Sequence, residues 1–108
     1  MEVIQPPDWA RPKGYSNGII ATGKMFFVAG QVGWNKEEEF ETDDFCGQAR
    51  QALTNIKDIL TAGGAGPEHM CRMTWYIGDK DEYNGCLGDL GKVYQEIMGK
   101  NFPVMTGI

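Results

Sequence analysis

The sequence predicts an α+β fold, a two-layer sandwich in which a mixed β-sheet carries two helices on one face. Three patterns lead there. Apolar side chains run without interruption from Met25 to Ala29, as in a strand buried on both faces. They recur at steps of three and four over 45–60 and 83–97, as on one face of a helix. They alternate with period two over 70–78, as in a half-buried strand. With 108 residues the chain makes one domain with one core.

Residues 1–14 contain Pro6, Pro7 and Pro12 and predict an extended arm whose Trp9 packs on the body. Tyr15 to Thr22 reads as a first strand, and Thr22-Gly23-Lys24 as a turn into the stretch Lys24 to Trp34, giving an antiparallel hairpin. That stretch breaks at Gly30-Gln31, with Gly33 following. A strand ending in glycine and then an amide brings bare backbone near a partner, so a tight corner and the floor of a small-molecule pocket are both open readings. Residues 35–41 are charged and predict a solvated loop.

The first helix is expected to start at Thr42, with Asp43 and Asp44 near the positive end of its dipole, and to stop at Gly63-Gly64. Its apolar stripe is Phe45, Ala49, Leu53, Ile56 and Leu60 with their neighbours Ala52 and Ile59. The strand that follows, Met70 to Gly78, turns Cys71, Met73, Trp75 and Ile77 toward the helices and Arg72 and Thr74 away from them. A second continuous helix is expected from Asp79–Asp81, with the stripe Tyr83, Leu87, Leu90, Tyr94 and Ile97. Gly85, Gly88 and Gly91 fall on its other side, each weakening a helix interior by about 0.8–1 kcal/mol relative to alanine, which makes the helix weak there or brings a backbone close. Asn101 to Ile108 begins a last strand. The sheet face that includes members of Met25 to Val28 needs a cover, and further copies of the chain supply one economically.

Composition narrows the function classes. The formal net charge is −5 and the ten Lys and Arg are scattered, so the field repels polyanions and nucleic acid is not an expected partner. No apolar run approaches the roughly 20 residues that cross a bilayer, and the N-terminus lacks the pattern of a signal peptide, so no membrane partner is expected. Cys46, Cys71 and Cys86 are an odd number at wide spacing with only His69 to join them. That argues against disulfides and zinc, and for the cytoplasm; no metal and no cofactor are expected. Cys46 and Cys86 read as small core residues on helices, and His69 beside Glu68 as a surface residue. No Ser/His/Asp, Cys/His or paired-carboxylate set can be assembled.

Five stretches, in this order, resemble the RidA family, also called YjgF/YER057c/UK114. They are Gly14-Tyr-Ser-Asn-Gly18, Phe27-Val-Ala-Gly-Gln31, Gln48 to Ile56, Met73-Thr-Trp-Tyr-Ile77 with Asp79, and Phe102-Pro103. The resemblance runs from about Arg11 onward. It implies a chorismate-mutase-like fold and a homotrimer whose sheets form the central barrel, with a small-molecule ligand cleft at each subunit interface. Typical members hydrolyse reactive enamines and imines, such as 2-aminoacrylate, to a keto acid and ammonia. The family tyrosine corresponds to Tyr15 and the glycine after the second strand to Gly30, with Gln31 beside it.

The departures lie at the C-terminal end. Met105 occupies the place of the family's carboxylate-binding arginine, and Gly107 that of a common cysteine. The family's water-positioning acid lies in a final strand beyond Ile108, so a single domain, 1–108, without its C-terminal strand is expected. Methionine offers no donor, so a carboxylate ligand needs another cation, and Arg72 is the candidate from its strand position. The expected site is therefore Tyr15, Gly30, Gln31, Arg72 and Met105, with no catalytic residue assigned. Three functions follow: an enamine/imine deaminase, a non-catalytic binder of an apolar or uncharged metabolite, which Met105 suits, and a ribonuclease, against which the acidic chain argues.

Overall fold

A computed structural model describes residues 1–108. The elements are β1 (Glu2–Ile4), β2 (Gly18–Ile20), α1 (Phe45–Ala62), a 3-10 turn (Pro67–His69), β3 (Arg72–Trp75), α2 (Lys80–Asn84), α3 (Leu87–Met98) and β4 (Val104–Gly107). The α+β class stands. The single mixed sheet does not: the strands form two separate pairs, β1 with β2 antiparallel and β3 with β4 parallel.

The core sits where α1, α3 and β3 meet. Leu53, Met73, Val93, Tyr94 and Met98 form one buried cluster, with Ile56, Trp75, Phe102 and Met105 packed against it. The expected stripes and the period-two alternation of β3 include Leu53, Tyr94 and Met73, whereas Val93 and Met98 lie outside the expected stripe; Met73 is the β3 side chain buried on the helix side. Asp44, two residues after Thr42, caps α1: its carboxylate accepts from the Gly47 N–H at 2.8 Å, while the Thr42 hydroxyl accepts from the Asp44 N–H. The helix ends at Gly63, followed by Gly64 at φ +79°, a conformation that favours glycine.

The second helix is two helices. Asp79 caps α2 through the N–H groups of Asp81 and Glu82, and the chain breaks at Gly85-Cys86 before α3. Gly85, a weak helix former, sits at the break.

The expected hairpin is absent. β2 takes β1 as its ladder partner, with Ile4 opposite Gly18, and residues 24–34 form no ladder. They lie instead along α1. The Phe26 ring stands over Gly63 at the helix's end, and the Asn55 amide donates to the carbonyls of Val32 (3.3 Å) and Trp34 (2.8 Å). A Cβ on Gly33 would come within 2.7 Å of the Gln48 Cα and carbonyl oxygen. The Asn55 amide thus supplies the Val32 and Trp34 carbonyls with the donor a neighbouring strand would give, and Met25 is 78% and Phe27 81% exposed. Trp9, expected on the body, is also exposed, because the arm's own β1 and not its tryptophan makes the attachment.

The largest correction concerns the cysteines. Cys46 and Cys86 form a disulfide with their Cα atoms 6.4 Å apart, and only Cys71 is free. The first turn of α1 and the break between α2 and α3 come together in the fold, within bridging distance, which a sequence separation of 40 concealed.

Candidate functional site

The site is assembled around Ser16. Its N–H donates to the Pro103 carbonyl at 3.1 Å, its hydroxyl donates to the Phe102 carbonyl, and it bridges Val104 in parallel fashion. Ser16 is buried, so the N-terminal arm is tied to the start of β4 by bonds shielded from water. The tie brings Lys13, Gly14 and Tyr15 to the side of β4, and Gly14, at φ +79°, makes the turn that few other residues would tolerate.

Beside them opens a cleft of about 350 Å³. One wall is α3, through Leu87, Leu90, Gly91 and Tyr94; the other is the end of the β3–β4 pair, through Trp75, Ile77, Met105 and Thr106. Gly91 helps to form the cleft because a Cβ there would meet nothing within 4 Å, so its missing side chain is open volume.

The lining is mainly apolar. Its polar groups include the hydroxyls of Tyr15, Tyr83 and Thr106, the Gln95 amide and one cation, Lys13; no carboxylate, imidazole or thiol lines it. Burial pushes the Tyr94 phenol well above the usual tyrosine range, and its hydroxyl donates to the Asn101 carbonyl. Tyr94 therefore stays protonated and engaged, and cannot serve as a base. Tyr15 is 42% exposed and makes no side-chain hydrogen bond, which leaves its hydroxyl available.

Of the expected site residues, the fold brings Tyr15 and Met105 together on this cleft and leaves the others outside it. Gly30 faces open space, and the Gln31 amide donates to the nearby Ala29 carbonyl at 3.3 Å. Arg72 is exposed at the opposite end of β3 from Trp75, in register with Val104. Within the chain, a close backbone approach occurs at Gly33, against Gln48. Lys13 escaped the sequence reading because a lysine in a proline-rich arm looks solvated, and only the Ser16 tie carries it to the cleft.

The sequence profile of the family described as Endoribonuclease L-PSP matches residues 9–108. The chain belongs to the RidA/YjgF/UK114 family. A RutC family protein of Pyrococcus horikoshii is 31% identical over 108 residues, covering 99% of this chain and 82% of its own length. A protein of Dermatophagoides farinae named 2-iminobutanoate/2-iminopropanoate deaminase is 23% identical over 107 residues, 98% of this chain and 80% of that one. Among solved structures, the Rid family protein YyfB of Yersinia pestis superposes with a TM-score of 0.72 at 25% identity, covering 99% of this chain and 84% of that one. The YjgF product of E. coli superposes at 0.65 with 26% identity, over 87% and 72%. The RidA-family fold is thus shared across the length of the chain.

Proposed function

We propose that this RidA-family chain takes a small, amino-acid-derived enamine or imine into the cleft between α3 and β4 and hydrolyses it to a keto acid and ammonia. The observation that carries the reading is that Tyr15 and Met105, 90 residues apart in sequence, line one mainly apolar cleft. The mite relative named as an iminobutanoate/iminopropanoate deaminase, alignable over nearly the whole chain, supports it. In the reaction, the imine, or the enamine as its imine tautomer, takes water across C=N to give a carbinolamine, with OH on carbon and a proton on nitrogen; the hydroxyl proton then passes to nitrogen as the C–N bond breaks, releasing ammonia and leaving a carbonyl. The free Tyr15 hydroxyl is the group placed to give the nitrogen a proton or to hold the water.

A second reading, a non-catalytic binder of small metabolites, is favoured by one specific observation: the lining holds no carboxylate, imidazole or thiol to activate water. Ribonuclease activity fits poorly, since a chain of net charge −5 with a single cation at the cleft cannot hold a phosphodiester backbone well. The two leading readings separate when 2-iminobutanoate is generated in the presence of the protein and ammonia is followed. Acceleration over the spontaneous rate supports the deaminase, and the spontaneous rate alone leaves the binder.

The assembly belongs to the same proposal: a cyclic homotrimer whose contacts cover Met25, Phe26 and Phe27, which are 78%, 46% and 81% exposed on the single chain. No helix is long and apolar enough to cross a membrane. In the cytoplasm, the location we propose, thiol pools keep the Cys46–Cys86 pair reduced.

A further inference from the structure

We propose that Cys46 and Cys86 are a reversible redox switch that fastens or frees α2, the short helix on one rim of the cleft. The inference rests on the reading of this cleft as the ligand site only for what is regulated; the switch itself is defined by the fold. α2 (Lys80–Asn84) buries none of its five residues, and it is far shorter than the roughly 12–15 residues at which a helix is even marginal by itself in water. Its internal support is thin: Asp79 caps it, and the N–H groups of Tyr83 and Gly85 donate to the carbonyls of Asp79 and Asp81 at 3.1 and 2.9 Å. Two features tie it to the first turn of α1. One is the edge-on contact of Phe45 with Tyr83, ring centroids 6.0 Å apart, and the other is the bond from Cys46 to Cys86, two residues past the helix end. Tyr83 and Leu87 stand on the cleft lining, so the segment that the bond holds is part of the wall. When the bond opens, α2 unfolds locally, while α1 and α3 stay in place because their apolar faces fill the core.

The two sulfurs are placed for reversible chemistry. Both cysteines are half-buried and outside the core, so peroxide and small thiols reach them. In a reducing compartment both are thiols at rest. Hydrogen peroxide oxidises one thiolate to a sulfenic acid: an S–O bond forms, the O–O bond breaks and one water leaves. The second thiolate attacks that sulfur, the S–S bond forms, the S–O bond breaks and a second water leaves, so the two thiols have given up two electrons and two protons. Glutathione reverses the step through a mixed disulfide and leaves as its own disulfide. The Cα separation of 6.4 Å lies within the range that a disulfide spans without backbone movement. A resolving partner already at hand in the fold distinguishes this pair from the free thiol of Cys71.

The test is hydrogen exchange read by mass spectrometry on the full chain carrying Cys71→Ser, so that a single pair of thiols can react. The protein is labelled for seconds to minutes after reduction with glutathione and again after treatment with hydrogen peroxide. Amides of residues 80–88 are expected to exchange at least about tenfold faster in the reduced state, while those of 53–60 in α1 and 93–98 in α3 stay protected in both. Cys46→Ser is expected to exchange 80–88 fast with or without peroxide; where that variant does not fold, the reduced and oxidised forms of the cysteine pair still make the comparison. Equal exchange of 80–88 in the two states would overturn the proposal. So would loss of protection in α1 and α3 together with α2, which marks a bond that serves the whole fold, or a disulfide that glutathione does not reopen. No ligand or turnover enters the measurement, so the deaminase reading can fail and leave the switch intact, and a working deaminase with an indifferent 80–88 segment sinks the switch alone.

Discussion

Cys46, in the first turn of α1, is bonded to Cys86, at the break between α2 and α3, with 6.4 Å between the Cα atoms. The bond fastens the segment that carries Tyr83 and Leu87 on the cleft wall to the long helix of the core. Closing a loop of 40 residues restricts the unfolded chain by about 4 kcal/mol in the chain-entropy account. Cys86→Ser is therefore expected to lower the urea-unfolding free energy by about 3–4 kcal/mol under oxidising conditions and by far less in a dithiol reductant. Cys71→Ser should change neither, since that thiol is free. Mass spectrometry after alkylation checks the premise, and three alkylated cysteines in protein kept from reductant would contradict it.

Gly33 and Gly30 should respond differently to alanine. A Cβ on Gly33 would enter the space of the Gln48 backbone, which cannot swing aside, whereas one on Gly30 meets nothing. Gly33→Ala is expected to destabilise by about 1–3 kcal/mol, as overpacking does, and Gly30→Ala by less than about 0.5 kcal/mol. Denaturant midpoints of the two variants give the comparison directly.

Met98, 1% exposed, lies in the cluster with Leu53, Met73, Val93 and Tyr94. Truncation to alanine leaves a cavity among groups from α1, β3 and α3, so Met98→Ala should cost about 2–5 kcal/mol in chemical unfolding.

Tyr94 makes stability depend on alkaline pH. Its pKa is raised in the folded chain from the ordinary value of 10.0 by burial, so above that value the unfolded state loses a proton that the native state keeps. The contribution is fully present below about pH 10 and is lost as pH rises beyond it toward the folded value. Tyr94→Phe should flatten that alkaline slope while costing about 1 kcal/mol at neutral pH, because the Asn101 carbonyl loses its donor. Unfolding curves of both proteins at neutral and alkaline pH decide it.

Phe27→Ser should leave the monomer's stability within about 0.5 kcal/mol, since the ring is 81% exposed, and should raise the monomer fraction if copies assemble over this face. Sedimentation of wild type and variant at matched concentrations reads the difference. Indistinguishable distributions would remove Phe27 from any subunit contact.

Local chemistry made the helical segments and part of the core, Leu53, Met73 and Tyr94, legible from sequence, while Val93, Met98 and the break before α3 were not. Periods of 3.6 and 2 choose which side chains of α1, α3 and β3 turn inward whatever the partner, and Asp79 and Gly63 mark ends because capping needs only neighbours a few residues away. Five stretches of resemblance were enough to indicate the RidA family, to which the chain belongs. The ladder partner of β2, the Cys46–Cys86 bond and the arrival of Lys13 beside Met105 were decided only by the tertiary structure. Each depends on groups distant in sequence reaching one place. No residue's own propensity records which distant backbone will satisfy its hydrogen bonds: Ser16 reads as an ordinary turn serine until the carbonyls of Phe102 and Pro103 stand beside it.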